Sequence, residues 1–77
     1  IYITGANYLS LEAPSKVVVK DASGKPVKNG EWTTSDKEAT IEDNQDGTAL
    51  ITATKSGTME ITYTVGSNKT TKTVTVK

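Results

Sequence analysis

The densest run of oxygen-bearing side chains in this sequence is Glu42-Asp43-Asn44-Gln45-Asp46-Gly47. Carboxylate and amide oxygens at alternating positions suit a hard cation such as calcium, and they make Asp43 and Asp46 the candidate metal ligands. The run departs from an EF-hand, however. Glu42 stands where that motif opens with Asp, and the twelfth position, which needs a bidentate Glu, is Ala53. Asp, Asn and Gly are also what a tight turn asks for, so the run reads first as a turn and no metal or cofactor is expected.

Tyr2 and Tyr8 are candidates for a different chemistry, the stacking of sugar rings on exposed aromatic faces. Packing or edge cover is the plainer role for two tyrosines this close to the start of the chain. Lys72 has inward parity beside core valines, which raises an internal isopeptide bond to an Asn under a neighbouring carboxylate. An ammonium snorkelling from a strand end accounts for it more simply. The many Ser and Thr hydroxyls have no base to activate them, since the chain lacks His and contains no Gly-x-Ser-x-Gly elbow. Without Cys there is neither a disulfide framework nor a thiol nucleophile, and catalysis is not expected.

These residues must be positioned by a chain of 77 residues, enough for one domain spanning 1–77 that buries roughly 60 to 65% of its unfolded surface. Nine basic residues, all Lys, balance nine carboxylates. A net charge of zero implies no long-range field toward nucleic acid or anionic lipid, and the lack of Arg removes the bidentate fork that phosphate recognition prefers. No run approaches the ~20 apolar residues of a membrane helix. The opening Ile1-Tyr2-Ile3 is already strand-like, which suggests a segment of a longer protein.

Apolar residues alternate at period two, and nowhere is helical spacing sustained. Strands are expected over Ile1 to Thr4, Tyr8 to Leu11, Lys16 to Lys20, Glu31 to Ser35, around Ala39 and Ile41, Thr48 to Thr54, Thr58 to Val65 and Thr70 to Val76. Leu9 and Leu11 would point inward. The expected core is Val17, Val19, Trp32, Ile41, Ile51, Ile61, Tyr63 and Val74. Lys16, Lys20, Lys28 and Lys55 sit at strand ends or turns, where charge blunts sheet edges. Asn29-Gly30 marks a turn because both residues tolerate positive φ, and Gly66-Ser67-Asn68-Lys69 closes a hairpin. About seven short, mostly antiparallel strands with turns every ~8 to 12 residues predict an all-β, immunoglobulin-like sandwich with its termini at opposite ends.

The order Trp32-Thr33-Thr34-Ser35-Asp36, Ala39-Thr40-Ile41, Asp46-Gly47, Ile51-Thr52-Ala53, Lys55-Ser56-Gly57-Thr58-Met59-Glu60-Ile61-Thr62-Tyr63 and Thr73-Val74-Thr75-Val76 resembles the group 2 bacterial immunoglobulin-like family. The match runs from Trp32 to Lys77, with Val17-Val18-Val19 fitting an earlier strand. The resemblance implies a non-catalytic structural or adhesive module of an extracellular bacterial surface protein, with neighbouring domains, another protein or a surface glycan as partners. It equally admits a decoration domain of a phage tail or capsid protein that touches host polysaccharide. A carbohydrate-binding accessory domain of a secreted glycosidase is a third reading, and it would need a planar aromatic strip. Fold alone does not choose among them.

Overall fold

The computed structural model describes residues 1–77, all of them in strands, turns and loops. Eight strands form in chain order: β1 (Tyr2–Gly5), β2 (Tyr8–Leu9), β3 (Ser15–Lys20), β4 (Glu31–Thr34), β5 (Thr40–Asp43), β6 (Thr48–Thr52), β7 (Gly57–Val65) and β8 (Asn68–Val76). They build two four-stranded sheets, ordered β1-β3-β6-β5 and β2-β8-β7-β4. Every pairing is antiparallel except β2 with β8, which is parallel.

The alternation that marks the strands also makes the core. Val17, Val19, Ala49 and Ile51 face inward from the first sheet. Leu9, Trp32, Met59, Ile61, Tyr63, Val74 and Val76 meet them from the second, and all belong to one buried cluster with Ala53. The outer face of the second sheet is a hydrated surface dominated by threonine: Thr58, Thr64, Thr71 and Thr73 are exposed on β7 and β8. β-Branched side chains suit such a pleated, half-wet sheet.

The eight strands correspond to the eight segments expected from the sequence, one more than the rounded count of about seven, and β1 and β2, separated by Ala6 and Asn7, join different sheets. Three expectations need correction. Leu11 is 42% exposed rather than inward. β2 ends at Leu9, and a turn in which Ala13 N–H donates to the Ser10 carbonyl (3.1 Å) lifts the following residues out of the sheet. Ile41 packs against the core but is only half-buried, because β5 is an edge strand with nothing beyond it. The β7–β8 hairpin is tighter than Gly66 to Lys69: Val65 pairs with Asn68, leaving Gly66-Ser67 as the whole connection. Gly66 has φ +58°, the positive value that a type II′ turn demands at its first central position.

The segment between β3 and β4 is less of a free loop than its Gly and Pro suggest. Val27 N–H donates to the Val19 carbonyl at 3.0 Å, Pro26 bridges Lys20, and the Val27 side chain packs on the core. Tyr63 fastens this segment from the other sheet. Its hydroxyl accepts from Gly30 N–H at 2.8 Å and donates to the Val27 carbonyl at 3.3 Å, while its ring meets Trp32 edge to face with centroids 4.8 Å apart.

The register places the two termini. Tyr2 faces Lys20 at the end where the β3–β4 segment and the β5–β6 turn gather, the latter through Val19 N–H donating to the Gly47 carbonyl. Leu9 faces Val76 at the other end, where Glu12 N–H reaches the Ala53 carbonyl. Ile1 and Lys77 thus lie at opposite ends of a body measuring 32 × 19 × 19 Å.

Candidate functional site

Asp43 and Asp46 flank the β5–β6 turn, and their oxygens are used within it. Asp43 Oδ1 accepts from Gln45 N–H at 2.8 Å, and Asp46 Oδ1 accepts from both the backbone N–H and the hydroxyl of Thr48. No group of three or more acidic, His or Cys side chains gathers there or elsewhere. Side chains that cap their own turn do so because Asp and Asn mimic a backbone turn, so the run earlier considered for calcium is built as turn structure.

The Thr48 hydroxyl, followed by the Thr48 N–H, lowers the Asp46 carboxyl below the ordinary carboxylate range. In the β3–β4 segment, the backbone N–H of Lys25 and then that of Ser23 lower Asp21 in the same sense. A carboxyl depressed in the folded state stabilises it above the unfolded pKa, about 4, and this contribution disappears as pH falls through the lower folded value. The thermal midpoint is therefore expected to drop on acidification below about pH 4. The double variant Asp21→Asn/Asp46→Asn should show a shallower drop in a pH series of melting curves, and an unchanged slope would assign the acid sensitivity to other groups.

Tyr2 and Tyr8 do not form a platform. Both are well exposed, at 44% and 64%, but Tyr2 pairs with Lys20 on one sheet and Tyr8 with Thr75 on the other, toward opposite ends. Lys77 Nζ lies 5.0 Å from the Tyr8 ring centroid and covers one of its faces. Trp32, 5% exposed, and Tyr63, 2% exposed, are committed to the core.

Lys72 does find an asparagine. Its Nζ donates to Asn7 Oδ1 at 2.8 Å, a pairing across 65 positions that spacing could not reveal. Attack on an amide carbon requires a neutral amine and a carboxylate to move the protons. The pair is solvent-exposed, and the chain's single ion pair is elsewhere, between Lys55 and Glu38 at 3.6 Å. The contact is a hydrogen bond that, with Thr75 N–H donating to the Asn7 carbonyl at 3.0 Å, ties the start of β2 to β8.

Two depressions mark the surface. One, of about 510 Å³, is walled by Asp36, Glu38, Lys55 and Ser56, with Met59 its one apolar residue. Asp36 is occupied structurally: its carboxylate accepts from Glu38 N–H at 2.9 Å and from the Thr54 hydroxyl at 3.4 Å. The other, of about 330 Å³, lies between Asn29 and Gln45 above Tyr63. Neither sets a nucleophile beside a base, and neither has the apolar lining of a small-molecule pocket.

A scan against family models finds no match, and neither does a comparison with curated protein sequences. Solved structures do match. The crystal structure of S-layer protein SbsC domains 4 and 5 aligns with a TM-score of 0.68 at 24% identity, over 95% of this chain and 47% of that one. The crystal structure of the S-layer protein rSbsC(31-844) aligns with a TM-score of 0.69 at 23% identity, over 97% of this chain and 12% of that one. The chain thus spans less than half of each protein it resembles, and what it shares with them is the two-sheet, all-β fold of an S-layer protein domain.

Proposed function

We propose that this chain is a non-catalytic structural module of an extracellular bacterial surface protein, a rigid spacer that holds whatever adjoins it at a fixed separation. The observation that carries this reading is the placement of Ile1 and Lys77 at opposite ends of a 32 Å body, so that a polypeptide entering at one end leaves at the other. Further support comes from side chains that are spent on folding. The acidic turn caps itself, Tyr63 holds the β3–β4 segment, and the tyrosines are dispersed. The likeness to S-layer protein domains is the basis for placing the module at the cell surface. The ordered fragments from Trp32 to Val76 are the basis for assigning it to the group 2 bacterial immunoglobulin-like family.

Heteronuclear NMR of the 77-residue chain tests the spacer reading. Titration with calcium and with cell-wall and capsular polysaccharides at millimolar concentration should leave the amide resonances unmoved. Localised shifts around Tyr8, or around Asp43 and Asp46, would overturn it in favour of a binding module. Antibody raised against the domain should label intact cells that produce the parent protein.

A further inference from the structure

The balanced charge conceals a separation. Residues 31–46 hold six of the nine carboxylates and one of the nine lysines, net −5, whereas the rest of the chain holds three carboxylates and eight lysines, net +5. The fold turns this into two flanks. β4 and β5 are edge strands of different sheets and lie against each other, carrying Glu31, Glu42 and Asp43 with no lysine, and the loop that joins them holds Asp36 and Glu38 with the flank's one lysine, Lys37, between them. On the opposite flank, β1 and β2 are uncharged edge strands. The strands beside them, β3 and β8, carry Lys16, Lys20, Lys69 and Lys72 with no carboxylate. Consequently, 18 charged side chains make one internal ion pair, between residues that are each about two-thirds exposed.

The strand directions add a second observation. Along β1-β3-β6-β5 each step is antiparallel, so β1 and β5 run in opposite senses. A copy displaced sideways without rotation would therefore lay β5 antiparallel to the next β1, with Glu42 one strand away from β3 and its Lys16 and Lys20. Charge is a usual defence of a sheet edge, and β1 has none.

We propose that the occupant of these flanks is a second copy of this chain, packed side by side with its acidic β4–β5 flank against the lysine-bearing β1–β2 flank. Each contact leaves a free flank of either sign, so association is heterologous and grows as an open row rather than closing at a dimer. Because screening acts over about 8 Å at physiological ionic strength, the attraction operates at short range and each contact is weak.

Sedimentation equilibrium of the chain from micromolar to millimolar concentration tests this. At low salt the mean mass should rise with concentration, and in about 1 M salt, where the screening length is about 3 Å, it should return to that of the monomer. Glu31→Lys/Glu42→Lys and Lys16→Glu/Lys20→Glu alter side chains that make no hydrogen bonds in the fold, and a retained amide spectrum verifies folding. Each should associate roughly tenfold more weakly or less, and an equimolar mixture of the two should regain association because each variant's altered flank now complements the other's. A monomer at millimolar concentration in low salt would overturn the proposal. So would association that salt leaves unchanged, or that survives Glu31→Lys/Glu42→Lys undiminished.

Discussion

Trp32→Ala is expected to unfold most of the domain. Trp32 points inward from the short edge strand β4 and is 5% exposed, with its ring against Tyr63. Truncating a buried aromatic of this size costs about 3 to 5 kcal/mol. Small domains hold only roughly 5 kcal/mol in total, so little or no stability remains. Tyr63 would also lose the neighbour that orients its ring, and with it the hold on Gly30 and Val27. The indole N–H is buried without a hydrogen-bond partner. Trp32→Phe removes that orphaned donor while keeping an aromatic ring, so it should be much the milder change. Urea unfolding followed by far-ultraviolet circular dichroism separates the two variants. An alanine variant with an unchanged midpoint would remove Trp32 from the centre of the core.

Gly30→Ala is the second large effect, and its cause is steric. A Cβ at this position would lie 2.4 Å from Tyr63 Cζ, 2.5 Å from Cε2 and 2.6 Å from the Thr64 carbonyl oxygen. The carbonyl is part of the backbone of β7, which is paired with a strand on either side, and the ring is fixed by two hydrogen bonds and by Trp32, so neither can step aside cheaply. Overpacking, together with loss of the Gly30 N–H bond to the Tyr63 hydroxyl, should cost about 3 kcal/mol or more. Gly24→Ala is the control: its Cβ would meet nothing within 4 Å, and its φ of +83° charges only the conformational penalty of about 1 to 2 kcal/mol. Equal losses of melting temperature in the two variants would refute the steric account.

The same glycine shows what could be read from sequence and what could not. Asn29-Gly30 announces a turn, and Asn29 does adopt φ +71°. The need for glycine at 30 comes instead from a tyrosine 33 positions away. Period-two alternation from Met59 to Val65 gave the strand and its buried face directly, because that signal is local and repeats. Leu11 misled because alternation cannot tell where a strand stops, and the turn that ends β2 is set by Ser10 and Ala13 backbone groups. Val27 is placed by a backbone hydrogen bond to Val19 across a Gly-containing bend, a contact that no local pattern announces. The candidate-site residues were individually legible as types. Whether Tyr2 met Tyr8, which asparagine met Lys72 and how charge was shared between flanks all depended on the order of strands within two sheets, which no local pattern encodes.

The parallel pairing of β2 with β8 has a consequence when the ends of the molecule are pulled. Ile1 and Lys77 emerge in opposite directions, so tension drags β2 one way and β8 the other along their common axis. The bonds Thr75 N–H to Asn7 O, Lys77 N–H to Leu9 O and Leu11 N–H to Lys77 O, at 3.0, 3.0 and 2.9 Å, are then sheared together. A hairpin pulled apart at its open end would surrender its bonds singly, because the load falls on one bond across the strands at a time. Once β1, whose pairing with β3 takes the load from Ile1 first, has given way, stretching must break this group of bonds together, and the short β2 acts as a mechanical latch for the sheet behind it.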